Sequence, residues 1–428
     1  MYLSHLDLEN FRLFVRFARD LPRGPLLIVG GNAQGKTTLL EAVAYLSTFS
    51  SFLAHTDREL VHFLARREPL AVSRVRGICR RRDGAVRLEA RIIHTLKANN
   101  GKHTRKEILV NGVKRKRVDA LGHCATVLFL PHMLHLVDGA PELRRRFWNQ
   151  TLAQAWPQYA HHVVQYHKVL SQRNALLKQI QEGRARVDSL DVWDARLAEL
   201  AGHIMYARGQ TLLAWNRLLT RHHWDLLRQT EPLRFVYRPA LDVPEVMAQG
   251  SLFGGHEAPE VPELVRAGPE VLAEHLRQRL AQQRAYDIRR GNTGLGPHRD
   301  DFRFYAGGLD LAVYGSRGQV RTALLLLKLA EAAWFRERFG EPPILLLDDL
   351  LAELDPQRRE QVLRHFLEAG EQILLTATEA SMYPESLREV TEIWHLEAGR
   401  VVSVTPPARP ASATLPDDEP PPQPHPSV

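Results

Sequence analysis

The chain has 428 residues, 44% of them hydrophobic and 25% charged, a balance typical of soluble globular proteins with more than one domain. It contains no apolar run of the roughly 18 residues that a membrane span needs, and its N-terminus lacks the order of a signal peptide. Its two cysteines indicate reduced thiols in a cytoplasmic protein, while the net charge of +8 favours a polyanionic partner, as do the clusters Arg80–Arg82, Lys114–Arg117 and Arg144–Arg146.

The first segment, residues 1–135, is predicted to consist mainly of strands, with the helix TTLLEAVAYLST among them. The second, residues 136–290, is predicted to be a helical insertion. Apolar residues recur every three or four positions from Phe147 to Leu170 and again over Val192–Leu227, with a break at GRARVDSLD. We therefore expect two long antiparallel helices that form an arm, followed by a strand at LRFVY and a helix over Pro269–Arg289.

The third segment, residues 291–404, returns to strands and helices, and includes PPILLLDDL, QILLTAT and WHLEAGRVVSV. The last, residues 405–428, is rich in proline and nearly free of large apolar side chains. Such a segment cannot bury enough surface to offset its ordering entropy, so we expect a disordered tail.

A phosphate-binding loop is predicted at GGNAQGKT, which matches G-x-x-x-x-G-K-[ST] and lies between an apolar strand and a helix. Its glycines let backbone N–H groups point at phosphate oxygens, and the helix N-terminus adds partial positive charge. Lys36 would reach the terminal phosphates, and the Thr37 hydroxyl is suited to Mg²⁺. The predicted nucleotide-binding residues are Gly30, Gly31, Asn32, Ala33, Gln34, Gly35, Lys36, Thr37 and Thr38.

A pair of carboxylates ends the apolar run ILLLDD. Such a run predicts a strand buried on both faces of a parallel sheet, and ligands of open α/β sheets bind where these strands end. Asp348 would hold Mg²⁺, and Asp349 would orient or deprotonate the attacking water. Because Lys36 and Asp348 lie near opposite ends of the chain, both ends must contribute to one sheet, as in the ABC-type ATPases of chromosome maintenance.

The stretch YGSRGQVRTALLLLK is predicted to begin a buried helix with a polar end left bare for an approaching phosphate. Ser316 and the backbone N–H groups would receive that phosphate, and Arg317 would find an anionic partner in it.

The sequence closely resembles the RecF family of bacterial recombination-repair ATPases over residues 1 to about 400. The resemblance rests on LENFR, GNAQGKTTLLEA, VNGVKRKR, LVDGAPELRRRF, QRNALLK, TGLGPHRDDF, YGSRGQVRTALLLLKLAE and PILLLDDLLAELDPQRR. It implies an α/β fold: an ABC-type ATPase head assembled from the N- and C-terminal segments, with the helical arm inserted between them.

The resemblance also implies roles for individual residues. The phosphate loop would be Walker A, Asp348 with Asp349 would be Walker B with the catalytic acid, and Ala352 to Asp355 would be the D-loop. The ABC signature, which contacts ATP held by a second subunit, would comprise Gly315, Ser316, Arg317, Gly318 and Gln319. RecF-like proteins would then dimerise head to tail around two ATP molecules, bind double-stranded and gapped DNA, and help RecR and RecO to load RecA.

Three departures from the family pattern stand out. Gly31 replaces the usual glutamate, a mild change because this position contributes backbone. Pro131-His132-Met133 replaces Pro-Glu-Asp in the region that corresponds to the Q-loop, which puts coupling between ATP and the arm in doubt. Where transporters have a histidine after the strand that follows Walker B, this chain offers Thr376 or Thr378. We therefore expect slow hydrolysis, that is, a weak DNA-stimulated ATPase that acts as a switch.

The alternatives are the energy-coupling ATPase subunit of a membrane transporter and a P-loop kinase of a small substrate. The long helical insertion and the GSRGQ variant argue against a transporter subunit. The large separation of ILLLDD from the phosphate loop argues against a P-loop kinase. Phosphate contacts with DNA are expected at the basic residues Lys114, Arg115, Lys116 and Arg117, although such hairpin tips are equally often only solvated surface.

Overall fold

The computed structural model describes residues 1–96, 102–227, 232–241, 259–349, 360, 363–367 and 372–408, with the side chains of 102 and 220–227 excepted. The expected tail lies outside these residues from position 409 onward. None of the helices in this part of the chain combines the length and the hydrophobicity that a membrane span requires.

An antiparallel sheet is built entirely from the N-terminal segment. Its strands are Tyr2–Phe11 (β1), Phe14–Asp20 (β2), Leu70–Arg81 (β4), Gly84–Leu96 (β5), Lys102–Val110 (β6) and Val113–Arg115 (β7). They lie in the order β2-β1-β4-β5-β6-β7. Buried residues alternate with less buried ones along most of β4, because one face of the sheet covers the core. The strands predicted from LSHLDLENF and VRLEARII are confirmed, whereas KEILVNGVKRKRV turns at Asn111-Gly112 and forms parts of two strands, β6 and β7.

A mainly parallel sheet combines strands from both ends of the chain, as predicted. Its strands are Pro25–Val29 (β3), Thr126–Phe129 (β8), Ile344–Leu347 (β12), Gln372–Ala377 (β13), Glu392–Glu397 (β14) and Arg400–Thr405 (β15). Their order is β15-β14-β3-β13-β12-β8, with only β15 antiparallel to its neighbour. Every residue of β3, β12 and β13 is buried, as the continuous apolar runs predict.

Helix α1, Lys36–Thr48, lies between these two sheets and contacts strands of both. All its residues from Leu39 to Ser47 are buried. A helix covered on both sides must be apolar around most of its circumference, which explains the run LLEAVAYL. The position of α1 fixes the loop that precedes it at the C-terminal end of β3, in the interior of the parallel sheet.

The middle of the chain is helical, as predicted: His135–Asp138 (α2), Pro141–Ala155 (α3), Pro157–Gln181 (α4), Leu190–Leu227 (α5), Glu263–Arg266 (α6) and Pro269–Arg290 (α7). The first predicted helix is broken, however, because Trp156 is extended and Pro157 begins a new helix. However, α4 and α5 do not form an isolated two-helix arm, because α7 packs along α5. Leu272, Leu276 and Leu280 recur every four residues and are buried there. A side chain at Gly202 of α5 would lie 2.3 Å from the carbonyl oxygen of Pro269.

A third, small sheet joins the predicted arm segment to the C-terminal segment. It comprises Leu233–Arg238 (β9), Asp301–Ala306 (β10) and Leu309–Asp310 (β11), in the order β11-β10-β9. Aromatic rings fix it to the helices, since the Trp148 ring centroid of α3 lies 4.8 Å from that of Phe302 and 5.1 Å from that of Tyr237. The sheet therefore crosses the boundary predicted at residues 290 and 291.

The acidic residues of GPHRDDF hold this sheet to the helices through buried arginines. Arg144 donates to both carboxylate oxygens of Asp301 at 2.6 and 2.9 Å, and Arg208 donates to Asp300 at 2.8 Å. Arg144 and Asp300 are fully buried. The expectation that the whole cluster Arg144–Arg146 contributes to a polyanion-binding surface is therefore wrong for Arg144, which is a structural residue.

Candidate functional site

The predicted phosphate loop follows β3 and ends at the first residue of α1. Two of its glycines are required by geometry. A Cβ atom at Gly30 would lie 2.3 Å from the carbonyl oxygen of Leu396, and Gly35 caps α1 with φ of 104°, which side chains rarely allow. Gly31, Asn32 and Ala33 are exposed, whereas Thr38 lies partly buried in the first turn of the helix. The loop predicted from the sequence is therefore present, with its backbone open to solvent.

Lys36 folds back over the loop. Its Nζ donates to the carbonyl oxygens of Gly30 and Gly31 at 2.6 and 2.8 Å. Partial burial lowers the pKa of Lys36, while the nearby charges of Asp349 and Asp348 act in the opposite direction. The ammonium group is thus held between the loop and the two predicted acids, where it can turn toward an anion on the loop.

The two motifs meet at Thr37 and Asp348. The Thr37 hydroxyl lies 3.0 and 2.9 Å from the two carboxylate oxygens of Asp348, although the residues are 311 positions apart. Asp348 is only 9% exposed, and none of the ion pairs among the described residues involves it. A nearly buried carboxylate beside a hydroxyl is an all-oxygen donor set, which suits a hard divalent cation. Thr37 and Asp348 therefore fit Mg²⁺.

Asp349 follows directly, with φ of 46° in the left-handed region. Its backbone N–H donates to Thr376 Oγ1 at 3.0 Å, and the same hydroxyl lies 2.7 Å from Asp348 Oδ1. Thr378, the other threonine considered from the sequence, instead places its hydroxyl 3.2 Å from the sulfur of Met382. The structure thus puts Thr376, and not Thr378, against the two acids of its own chain.

Two supports of the loop were missed from the sequence. The hairpin between β14 and β15 braces Gln34, whose side-chain oxygen accepts from Ala398 N at 2.5 Å and whose carbonyl accepts from Gly399 N at 3.1 Å. Arg12 donates to both carboxylate oxygens of the fully buried Glu41 on α1, at 2.9 and 2.8 Å. In the sequence, Arg12 and Glu41 stood out only as parts of the motifs LENFR and GNAQGKTTLLEA. The motifs gave no role for either residue.

The predicted signature forms the N-terminus of a long helix, Arg317–Phe339, which follows the short helix Leu311–Tyr314 (α8) and is named α9 here. This end is not bare, so that expectation is wrong. Ser316 Oγ accepts from Gln319 N at 3.2 Å, and Ser316 N donates to Gln319 Oε1 at 2.9 Å. This capping box satisfies two backbone donors, because helix ends leave N–H groups unpaired.

Ser316, Arg317 and Gly318 are exposed, and Gln319 is half-buried. Among the described residues, no hydrogen bond or ion pair joins these four residues to Lys36, Thr37 or Asp348. Asp355 of the predicted D-loop lies outside the described residues.

The segment Pro131–Leu134, where the family pattern is lost, forms a short 3₁₀ helix beside the acids. It follows β8 directly, and Asp348 N donates to the carbonyl oxygen of Phe129 in β8 at 3.0 Å. Burial lowers the pKa of His132, and the nearby Asp348 partly opposes that shift. His132 therefore interacts electrostatically with Asp348, the predicted metal ligand.

The four basic residues at the end of the β6–β7 hairpin are all exposed. Lys114 Nζ lies 2.9 Å from Glu107 Oε1, and the contact lowers the pKa of that carboxyl. Arg117 Nε donates to the carbonyl oxygen of Thr48 at 3.0 Å. Arg115 and Lys116 form no ion pair with the described part of the chain, so their charges face solvent. Burial lowers the pKa of Arg117, because its guanidinium lies against the Thr48 carbonyl although much of the side chain is exposed.

A cleft of about 630 Å³ lies between this hairpin and helices α3 and α4. Its lining includes Lys116, Arg117, Arg145 and Arg146, and Glu142 is the one acid that lines it among the described residues. Arg145 contacts Glu142 at 2.9 Å, whereas Arg146 donates to the neutral carbonyl oxygen of Ser51. The cleft therefore carries uncompensated positive charge, continuous with the hairpin.

Comparison with known proteins identifies the family. Residues 2–401 match the family model described as the RecF/RecN/SMC N terminal domain. The DNA replication and repair protein RecF of Chloroflexus aurantiacus is 36% identical over 411 residues, which cover 94% of this chain and 99% of that protein.

Solved structures agree with this assignment. The structure of the recombination mediator protein RecF-ATP in the RecFOR pathway superimposes with a TM-score of 0.74 at 31% identity, and covers 94% of this chain and 97% of that one. An SMC head bound to the C-winged helix domain of ScpA gives a TM-score of 0.51 at 13% identity, covers 95% of this chain and 97% of that one, and shows the fold alone. The α/β head of ABC type with a helical insertion is therefore confirmed, and the transporter alternative is not favoured. The chain belongs to the RecF family of DNA replication and repair proteins.

Proposed function

We propose that this protein binds ATP with Mg²⁺ and uses the nucleotide to control its binding to DNA during recombinational repair and replication restart. The observation that carries the proposal is the contact of Thr37 with Asp348 at 2.9 Å, which joins the phosphate loop to an acid from the other end of the chain. A relative of the same fold is described as RecF-ATP, which supports the choice of nucleotide.

The residues from Gly30 to Thr38 would hold the phosphates, with Lys36 as the main cation. Thr37 and Asp348 would hold Mg²⁺, which when bound neutralises phosphate charge. Asp349 would orient or deprotonate the water that attacks the terminal phosphate. Hydrolysis would be slow, since nothing in the described chain supplies the histidine that transporters place after the corresponding strand. Thr378 follows that strand here, and Thr376 lies within it. The ATPase would therefore act as a switch.

The signature would complete this site in trans. Ser316, Arg317, Gly318 and Gln319 of one subunit would contact ATP held by the other, with Asp355 of the D-loop beside it, in a head-to-tail dimer that forms with ATP and separates after hydrolysis. The exposure of the signature supports this arrangement. Two apolar neighbours, Val313 and Tyr314, are also exposed by 68% and 69%, as expected of a surface that is covered in an assembly.

DNA would bind through phosphate contacts at the basic hairpin from Lys114 to Arg117. The adjoining cleft supports this proposal, because Lys116, Arg117 and Arg146, which form no ion pair among the described residues, lie along one surface. Such contacts position a protein on double-stranded or gapped DNA without reading bases.

The similar RecF-ATP structure belongs to a protein of the RecFOR pathway. We therefore propose that this protein acts with RecR, and with RecO and RecA in the same pathway. We place this action in the cytoplasm. We further propose the predicted division into an ATPase head from residues 1–135 and 291–404 with an inserted helical domain at 136–290, with the small sheet of β9, β10 and β11 spanning the second boundary.

The test is the rate of ATP turnover of the purified protein with and without duplex or gapped DNA, in the absence of any membrane protein. The proposal predicts slow turnover that DNA increases. Turnover that DNA leaves unchanged, together with no binding of DNA in the presence of ATP, would contradict it.

A further inference from the structure

Thr376 lies in the parallel sheet at a position where its side chain contacts both Asp348 and Asp349. It is fully buried in β13, the strand between β3, which leads to the phosphate loop, and β12, which leads to Asp348. Its neighbours on the same strand, such as Leu375 and Ala377, are apolar and buried. Burial of a hydroxyl in apolar surroundings costs free energy unless the hydroxyl is hydrogen-bonded. Its hydrogen-bond partners therefore indicate its role.

The Thr376 hydroxyl makes two contacts, one with each acid. It donates to Asp348 Oδ1 at 2.7 Å and accepts from the backbone N–H of Asp349 at 3.0 Å. One hydroxyl has a single donor and two acceptor lone pairs, so it can make both contacts at once. A buried threonine often bonds to the backbone carbonyl of its own segment, but these two contacts go to the adjacent strand end.

Each contact fixes a different feature of the acids. The first holds Oδ1 of Asp348, the oxygen that also lies 3.0 Å from the hydroxyl of Thr37, itself a predicted Mg²⁺ ligand. The second holds the backbone of Asp349 in its left-handed conformation, at φ of 46°, which is uncommon for residues other than glycine. Without Thr376, Asp348 would keep only Thr37 as a hydroxyl partner, and the N–H of Asp349 would be left without this acceptor.

We propose that Thr376 is a positioning residue that sets the geometry of both acids, one through its side chain and the other through its backbone. The inference rests on the proposed binding of ATP with Mg²⁺. It assigns Thr376 no contact with nucleotide or metal, only the placement of the residues that make these contacts.

The test compares Thr376→Val with wild type. Valine keeps the branched shape and suits a buried strand, but it removes both hydrogen bonds. We expect the gain in affinity for a fluorescent ATP analogue on replacing EDTA with Mg²⁺ to fall at least about tenfold, the worth of one hydrogen bond to a charged group. Affinity in EDTA should stay within about twofold, because the phosphate loop is untouched. Thr376→Ser, which retains the hydroxyl, should restore the Mg²⁺ effect.

Thr126→Val is the matched control. Thr126 is a buried threonine of β8 in the same sheet, and its hydroxyl bonds to Ser47 and not to the acids. The control should therefore leave the Mg²⁺ effect unchanged. If Thr376→Val does not fold, Thr376→Cys removes the strong donor at similar volume and takes its place.

A folded Thr376→Val protein with the wild-type Mg²⁺ effect would overturn the inference, as would an equal loss of affinity in EDTA, which would indicate general damage to the loop. The proposed function fails separately, if the wild-type protein itself binds the analogue equally with EDTA and Mg²⁺ or not at all.

Discussion

Replacement of Lys36 by methionine tests the phosphate site. In the structure, Nζ bonds to the carbonyl oxygens of Gly30 and Gly31, a loop that solvent reaches. Water can replace these two bonds when the ammonium group is removed, and the methionine side chain retains most of the packing. The free energy of unfolding without nucleotide should therefore change by less than about 1 kcal/mol.

The loss of ATP affinity should be much larger. If Lys36 turns from the two carbonyls to two phosphate oxygens, the charge-assisted hydrogen bonds contribute about 1.5–3 kcal/mol each. Their removal should weaken binding at least about 100-fold. Titration with a fluorescent ATP analogue measures this change, and the thermal shift that ATP gives to the wild type should disappear in the variant. Lys114→Met serves as the control for loss of a lysine charge and should keep wild-type affinity. A Lys36→Met protein that binds ATP within about threefold of wild type would refute the assignment of the loop.

Two further predictions concern the acid and the basic hairpin. Asp349→Asn should preserve ATP binding but slow hydrolysis at least about 100-fold by removing the general base, so that ATP-dependent dimers accumulate in sedimentation runs; unchanged turnover would remove Asp349 from the proposed role. Neutralising Arg115, Lys116 and Arg117 together should reduce the slope of log affinity for duplex DNA against log salt by about 0.9 for each DNA phosphate that the protein no longer neutralises. An unchanged slope would indicate that these residues are only solvated surface.

The sequence predicted the parallel sheet and its phosphate loop well, because both depend on local patterns. A continuous apolar run such as ILLL is sufficient to place a buried strand, and the spacing of glycines, Lys36 and Thr37 is sufficient to place the loop. The large separation of the two motifs along the chain then predicted that both chain ends contribute to one sheet, which the contact of Thr37 with Asp348 confirms.

Features that depend on tertiary contacts were harder to predict. The periodicity of α4 and α5 predicts two amphipathic helices but does not reveal that α7 covers one of them. The basic run Arg144–Arg146 looks uniform in sequence, yet Arg144 is buried against Asp301 while Arg146 lines the cleft.

The polar stretch before α9 shows a different kind of error. Its glycines suggest a bare helix end, because they stabilise a helix poorly. Ser316 and Gln319 nevertheless stand three residues apart, the spacing of a capping box, and the structure shows that they pair. The same exposed residues can therefore cap their own helix while they remain open to a partner.

The central claim, that the signature of one subunit completes the ATP site of another, is tested most directly by Ser316→Arg. The variant places a bulky cation on an exposed helix end. Among the described residues, no hydrogen bond or ion pair joins this helix end to the phosphate loop of its own chain. The measurement is sedimentation velocity of wild type and variant with ATP and Mg²⁺, alongside ATP binding at concentrations where both are monomeric. The account predicts that the variant binds ATP as the wild type does but stays monomeric, whereas the wild type dimerises. Normal ATP-dependent dimers, or loss of ATP binding by the monomeric variant, would contradict it.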